Sequence, residues 1–187
     1  MTRAGTIERL LSVEEFERLS EEDGYRTELV RGHLVREPRP AAEHTWLASE
    51  LYWRIESHVR EHGLGRTLFD AGFLLDDNPP TIRIPDMAFL AHPGPAEERP
   101  TGFWTIAPDL AVEIVSRSNT VAEIQEKVLE YLAHGTRLVW VVEPASRSVT
   151  SYRSRKDVEV LTGEDDLDGG GILPGFRFRI SDLFASW

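Results

Sequence analysis

The chain of 187 residues and 21.2 kDa, with 41% apolar and 28% charged residues, is long enough for one ordinary domain and too apolar for a disordered one. It has no cysteine, which excludes a disulfide scaffold, a thiolate nucleophile and Cys-ligated zinc or iron–sulfur centres. The formal charge is −11, but residues 14–23 hold six acids and one arginine and residues 164–168 hold four acids; the remainder carries about −2, so the charge neither advertises nor excludes a polyanionic partner.

Glu8 and Arg9 stand near the start with no apolar stretch after them, so no secretory signal is expected. The longest apolar run, 138–142, is too short to span a bilayer, and a cytoplasmic location is the expectation. In chain order, residues 12–20 predict a short acidic helix capped by Ser12, with Val13, Phe16 and Leu19 on one face. Residues 25–36 predict a hairpin turning at Gly32. Residues 41–62 predict the longest helix: Leu47, Leu51, Ile55 and Val59 recur every four residues, and Gly63 stops it. Strands are expected at 66–75 and 82–90, then a Pro/Gly-rich loop at 91–102 and a strand at 110–116. A second helix at 120–134 opens on a capping box, Thr120 with Glu123, and closes before Gly135. Strands at 137–143, 148–153 and 158–162 and a short amphipathic helix at 180–187 complete the chain, with Asp168-Gly169-Gly170-Gly171 as flexible punctuation. This order gives a mixed β-sheet flanked by helices, an α/β or α+β single domain over 1–187.

Three residues stand out chemically. Glu113 interrupts the apolar run of a strand that reads as covered on both faces. A buried carboxylate is costly unless paired or bound to metal, so Glu113 is either in an ion pair with Arg83 or Arg137 or a metal ligand. Pro85-Asp86 breaks a second strand, and proline belongs at an edge, a bulge or a strand start. Asp86 there either accepts a turn hydrogen bond or projects into a cleft. Two carboxylates on adjacent strands can converge on a hard cation such as Mg²⁺. Of the 21 basic residues 19 are arginine, which makes Lys127 and Lys156 exceptions. Lys127 lies at the border of the apolar stripe Val121, Ile124, Val128 and Leu132 of the second helix. It is either paired in solvent with Glu123 or brings its amine to the sheet edge.

Pro85-Asp86, Glu113-Ile114-Val115-Ser116, Lys127 and Tyr131 together resemble the PD-(D/E)XK nuclease superfamily, and within it the bacterial restriction-endonuclease branch, the Uma2 family, over nearly the whole chain. The segment 28–34, His44 early in a long helix, and Leu173-Pro174-Gly175-Phe176 followed by Asp182-Leu183-Phe184 fit the same pattern. In the superfamily motif the lysine follows the acid by two residues, where this chain has Val115; the branch resembles one in which the lysine has moved to the following helix, and Lys127 is the matching position. The resemblance implies a restriction-endonuclease-like fold and Mg²⁺-dependent (or Mn²⁺-dependent) hydrolysis of DNA phosphodiesters. Asp86, Glu113 and the Ile114 carbonyl are the implied metal ligands, and Asp86, Glu113 and Lys127 the implied catalytic set. Glu43 or Glu50 would supply a further carboxylate for a second metal. His44 is a candidate polar contact near the site, Glu28 a recurrent position of the branch, and Ser116 either a strand terminator or a positioner of Lys127 or a phosphate. Arg31, His33, Arg36 and Arg39, and Arg147, Arg153, Arg155 and Lys156, are the candidate DNA contacts. Cutting both strands calls for two sites, so a homodimer is expected, with no membrane partner. The rival is a catalytically silent module of the same fold that binds nucleic acid or protein; Val115 and the acidic charge point toward it.

Overall fold

The computed structural model describes residues 9–19, 25–95 and 99–185. The expected helix end at Ser20 and the last two residues, 186–187, lie outside them. In α1 (Val13–Glu17) the Ser12 hydroxyl accepts the Glu15 N–H and the Glu15 carboxylate accepts the Ser12 N–H, a closed capping box. β1 (Tyr25–Val30) and β2 (His33–Pro38) form the expected hairpin. Its turn residues Arg31 and Gly32 both have positive φ, the conformation that matches the twist of the flanking strands. α2 (Ala42–His62) ends at Gly63, whose left-handed φ of 62° an L side chain would strain.

The two long strands expected at 66–75 and 82–90 are in fact four: β3 (Arg66–Phe69), β4 (Phe73–Asp77), β5 (Pro80–Arg83) and β6 (Met87–Leu90). The first break follows Asp70, at φ 51°, and the second contains Pro85, which has no N–H for a ladder. β7 (Leu110–Ile114) leads through α3 (Val121–Ala133) to β8 (Leu138–Glu143), and β9 (Ser148–Tyr152) and β10 (Val158–Thr162) follow as a meander. Both breaks carry the chain between sheets. β4 and β5 belong to a four-stranded sheet of order β2-β1-β5-β4, while β3 and β6 belong to a six-stranded sheet of order β10-β9-β8-β7-β6-β3. The six-stranded sheet is antiparallel except for the β7–β8 pair, which α3 joins as a crossover.

The expected flexible run after Asp168 is instead the start of a tight connection between β11 (Asp166–Asp168) and β12 (Arg177–Arg179). The Asp168 carboxylate accepts the Gly170 N–H at 2.6 Å, and Leu167 and Phe178 pair across the hairpin in the core. α4 (Ile180–Ala185) closes the described chain. Among the described residues no helix is long and apolar enough to cross a membrane.

The core follows the strand alternation. Leu110, Val112 and Ile114 of β7 and Leu138, Trp140 and Val142 of β8 pack with the α2 stripe Leu47, Leu51, Ile55 and Val59. The opposite face of the same strands, Ala111, Val139 and Val141, packs with Val128 and Tyr131 of α3. Glu113 falls on that second face by the same alternation, so α3 covers the strand's only carboxylate.

Candidate active site

Asp86 occupies the second break, where the chain leaves β5 in one sheet and enters β6 in the other. Met87 pairs with Val112, so the next step along the antiparallel register puts Asp86 beside Glu113. The backbone N–H of Ile114 donates to Asp86 Oδ2 at 2.7 Å. His44, in the first turn of α2, makes a 3.0 Å contact from Nε2 to the same oxygen, and Arg26 of β1 donates to Oδ1 at 2.8 Å. Burial raises the Asp86 pKa, but the His44 and Arg26 contacts and the Ile114 N–H outweigh it and hold the carboxyl at about 2.

Glu113 is fully engaged from α3. The Tyr131 hydroxyl donates to Oε1 at 2.7 Å, and Lys127 Nζ lies 3.4 Å from Oε2. Lys127 is 2% exposed, and its amine also reaches Glu28 Oε1 at 3.3 Å and Glu37 Oε1 at 3.0 Å. Its stem therefore crosses the α3 interface and its charge ends among three carboxylates, rather than pairing with Glu123 in solvent. Those carboxylates more than offset burial and raise the lysine pKa. Burial pushes Glu113 up to about 7; Asp86 and Glu28 add to the rise, against the pull of Lys127. Tyr131 is raised well above its ordinary value by burial and by the Glu113 and Glu28 charges.

Glu28 of β1 is the hub behind this pair. It is wholly buried and accepts from Ile84 N–H at 2.8 Å and Arg83 Nη1 at 2.8 Å, as well as facing Lys127. Arg83 in turn donates from Nε to Glu130 Oε2 of α3 at 2.7 Å. Burial raises the Glu28 pKa, but Lys127, Arg83 and the Ile84 N–H prevail and keep it low. Neither arginine expected as a partner of Glu113 plays that part: Arg83 serves Glu28 and Glu130, and Arg137 lies 3.5 Å from Asp109. Glu50 is bound by Arg54, one turn along α2, at 2.7 Å. Ser116 bonds to Asn119 and Ser118 in the loop before α3, as a strand terminator would.

Sequence reasoning missed Arg26 and Glu37 and left Glu28 without a role. Arg26 and Glu28 are two apart on β1, hence on one face, and Arg26 lies opposite Glu37 in the hairpin register. A charged pair at that spacing in a strand was the available signal.

The cluster holds Glu28, Glu37, Asp86, Glu113 and Glu130 against Arg26, Arg31, Arg83 and Lys127, an excess of one acid. Among the described residues no three His, Asp or Glu side chains are arranged to hold an ion. A cation here would therefore rest on the two carboxylates and the Ile114 carbonyl, with water or substrate completing its shell, which suits Mg²⁺. Asp86, His44 and Arg26 open onto a cleft of about 540 Å³ between α1, the β1–β2 hairpin and the start of α2. Glu37, Arg83 and Lys127 line a second, smaller recess of about 220 Å³ on the side of α3's N-terminus.

A mixed sheet joined by one crossover helix, with an acid after a strand break, an acid in the neighbouring strand and a lysine delivered onto it, defines an α+β domain of nuclease-like fold. The chain belongs to the Uma2 family, described as "Putative restriction endonuclease", whose model matches residues 13–181. Its structure is similar to the crystal structure of "a putative nuclease belonging to DUF820" from Anabaena variabilis, at 23% identity and a TM-score of 0.82 over 94% of this chain and 98% of the other. No curated protein matches the chain.

Proposed function

We propose that the protein is a metal-dependent endonuclease that hydrolyses DNA phosphodiesters. The observation that carries this reading is Lys127: Val115, one residue past β7, stands where the superfamily has its lysine, and α3 brings the Lys127 amine to 3.4 Å from Glu113 instead. Family membership supports the reaction class. Asp86 and Glu113, with the Ile114 carbonyl, would hold Mg²⁺ or Mn²⁺. The cation, when bound, lowers the pKa of a water ligand and neutralises charge gathering on the phosphate. His44, Arg26 and the Ile114 N–H keep Asp86 ionised and fixed in rotamer. Lys127, whose three N–H groups face Glu28, Glu37 and Glu113, would turn one of them toward the attacking water or a phosphate oxygen once a cation draws off Glu113. The water oxygen bonds to phosphorus, the bond to the leaving sugar oxygen breaks, and the water's proton ends on that oxygen.

The test is cleavage of single-stranded circular DNA and of supercoiled plasmid, side by side, in Mg²⁺ or Mn²⁺. Asp86→Asn and Glu113→Gln, each with wild-type circular dichroism, are expected to abolish cleavage. Unchanged cleavage in either variant removes that carboxylate from the reaction. If both strands of a duplex are cut, two sites must act together, and a homodimer in sedimentation is the matching expectation.

One observation favours a second reading, the silent binding module. Both oxygens of Asp86 and both of Glu113 have protein partners. A silent module would bind nucleic acid or protein with Asp86→Asn and Glu113→Gln having no effect, and would hydrolyse nothing.

A further inference from the structure

The cleft that leads to Asp86 is built differently from a duplex-binding face. Its walls are aromatic: Tyr25 at the start of β1, Phe69 at the end of β3, and Phe103 in the loop before β7. Tyr25 and Phe69 are 43% and 53% exposed, unusual for large rings, so their faces are available to a ligand. Phe69 is set in place by a neighbouring ring. Phe69 meets Tyr52 of α2 edge to face at 6.0 Å between ring centres, and Tyr25 lies opposite Pro38 in the hairpin register. Phe103 stacks on Phe16 of α1 at 5.6 Å. Arg36 and Arg39, both exposed, line the same cleft. Glu17 and Asp70 line it too, and Arg26 there is paired with Asp86 and Asp70, so Arg36, Arg39 and a cation at Asp86 are the groups offered to a phosphate.

Rings beside cations in an open cleft suit a polyanion that can present a base face. A paired base hides its π-faces inside the stack and offers only its edges; an unpaired base offers a face to Tyr25 or Phe69 while its phosphate meets arginine. A volume of about 540 Å³ holds a nucleotide or two and cannot admit a double helix. Resting on the nuclease reading, we propose that this cleft takes an unpaired nucleotide of a single DNA strand and stacks it next to the phosphate to be cut. The substrate is then single-stranded DNA, or a frayed or flapped end, rather than a closed duplex.

The experiment is fluorescence polarisation in Ca²⁺ of a labelled oligothymidylate and of a duplex of the same length, on the full chain. The single strand is expected to bind tighter. Tyr25→Ala and Phe69→Ala, at exposed positions that leave folding intact, should each loosen it about tenfold. Tyr25→Phe, which keeps the ring, should bind as wild type. Duplex binding as tight as single-strand binding, or alanine variants that bind as wild type, would overturn the proposal. The two readings fail separately. If stacking is seen but no metal supports hydrolysis, the nuclease reading falls and the cleft stands. If closed duplex is cut at a rate both alanine variants leave unchanged, the nuclease stands and the stacking cleft falls.

Discussion

Lys127 is surrounded by Glu28, Glu37 and Glu113 and has almost no solvent face, so replacing it separates charge from shape. Lys127→Met leaves three carboxylates facing one another, and breaking a buried ionic group by removing one partner costs about 3–5 kcal/mol. Lys127→Arg keeps the charge but swaps a compact ammonium for a planar fork. The expectation is a large loss of urea stability in Lys127→Met, a smaller one in Lys127→Arg, and no cleavage by either. Arginine cutting at the wild-type rate would show that Lys127 only balances charge. Glu113 makes a prediction with a definite sign. Its folded pKa of about 7 exceeds its ordinary 4.5, so its contribution to stability is full below pH 4.5 and is lost as pH rises through 7. Asp86 acts oppositely: held at about 2 against 3.8, it stabilises above pH 3.8 and gives that up only toward pH 2. Between pH 5 and 8 the metal-free protein should therefore lose on the order of 2 kcal/mol, read as a falling Tm, and Glu113→Gln should flatten the slope. A wild-type Tm that holds level over this range would contradict the raised pKa. At this scale the sequence identified which residues were anomalous, Glu113 and Lys127, but not their partners. Glu28, Arg26 and Glu37 sit in a hairpin that local patterning reads as half solvated, and only the tertiary packing buries Glu28 and half-buries Arg26 and Glu37.

Helices were the legible elements, because their ends are written in local chemistry. The Thr120–Glu123 capping box closes both ways, the Thr120 hydroxyl accepting the Glu123 N–H and the Glu123 carboxylate the Thr120 N–H. Thr120→Ala should cost about 1 kcal/mol in urea denaturation while leaving the Lys127–Glu113 contact, two turns further on, intact. Cleavage per folded molecule is expected to be unchanged; a fall in rate at full folding would mean that the cap also sets the position of Lys127. Strand boundaries were less legible. Residues 66–75 and 82–90 are each apolar enough to read as one strand, and nothing local says that the two halves pair with different neighbours. Only Asp70's positive φ and Pro85's missing N–H mark the breaks, and a proline or an aspartate is compatible with an edge or a turn as well. The three-residue strands β11 and β12 escaped for another reason: charged residues alternate with a single buried one, Leu167 or Phe178, too short a run for a period of two to register.

For the molecule as a whole, the strand breaks are what place the chemistry; the sequence marked the one at Pro85-Asp86 but not that the chain changes sheets there. The chain changes sheets at Asp86, so one acid stands at the seam of the two sheets while its partner, Glu113, stays on the central strand and Lys127 arrives from the crossover helix. The acids that converge there outnumber the bases, and their mutual repulsion is part of what raises Glu113. A cation bound in the folded state but not in the unfolded chain should stabilise by mass action, about 2.7 kcal/mol at a hundredfold excess over its dissociation constant. For a chain of this size that is a rise in Tm of roughly 5–10 °C. The rise should appear with Mg²⁺ and Mn²⁺ and be absent in Glu113→Gln, whose apo form is already relieved of the repulsion. Because the measurement needs neither substrate nor turnover, it separates metal binding from catalysis. An equal rise in the wild type and in Glu113→Gln would place the cation elsewhere. No rise in the wild type would favour the silent module, in which Tyr131 and Lys127 have taken over the Glu113 oxygens that a metal would need.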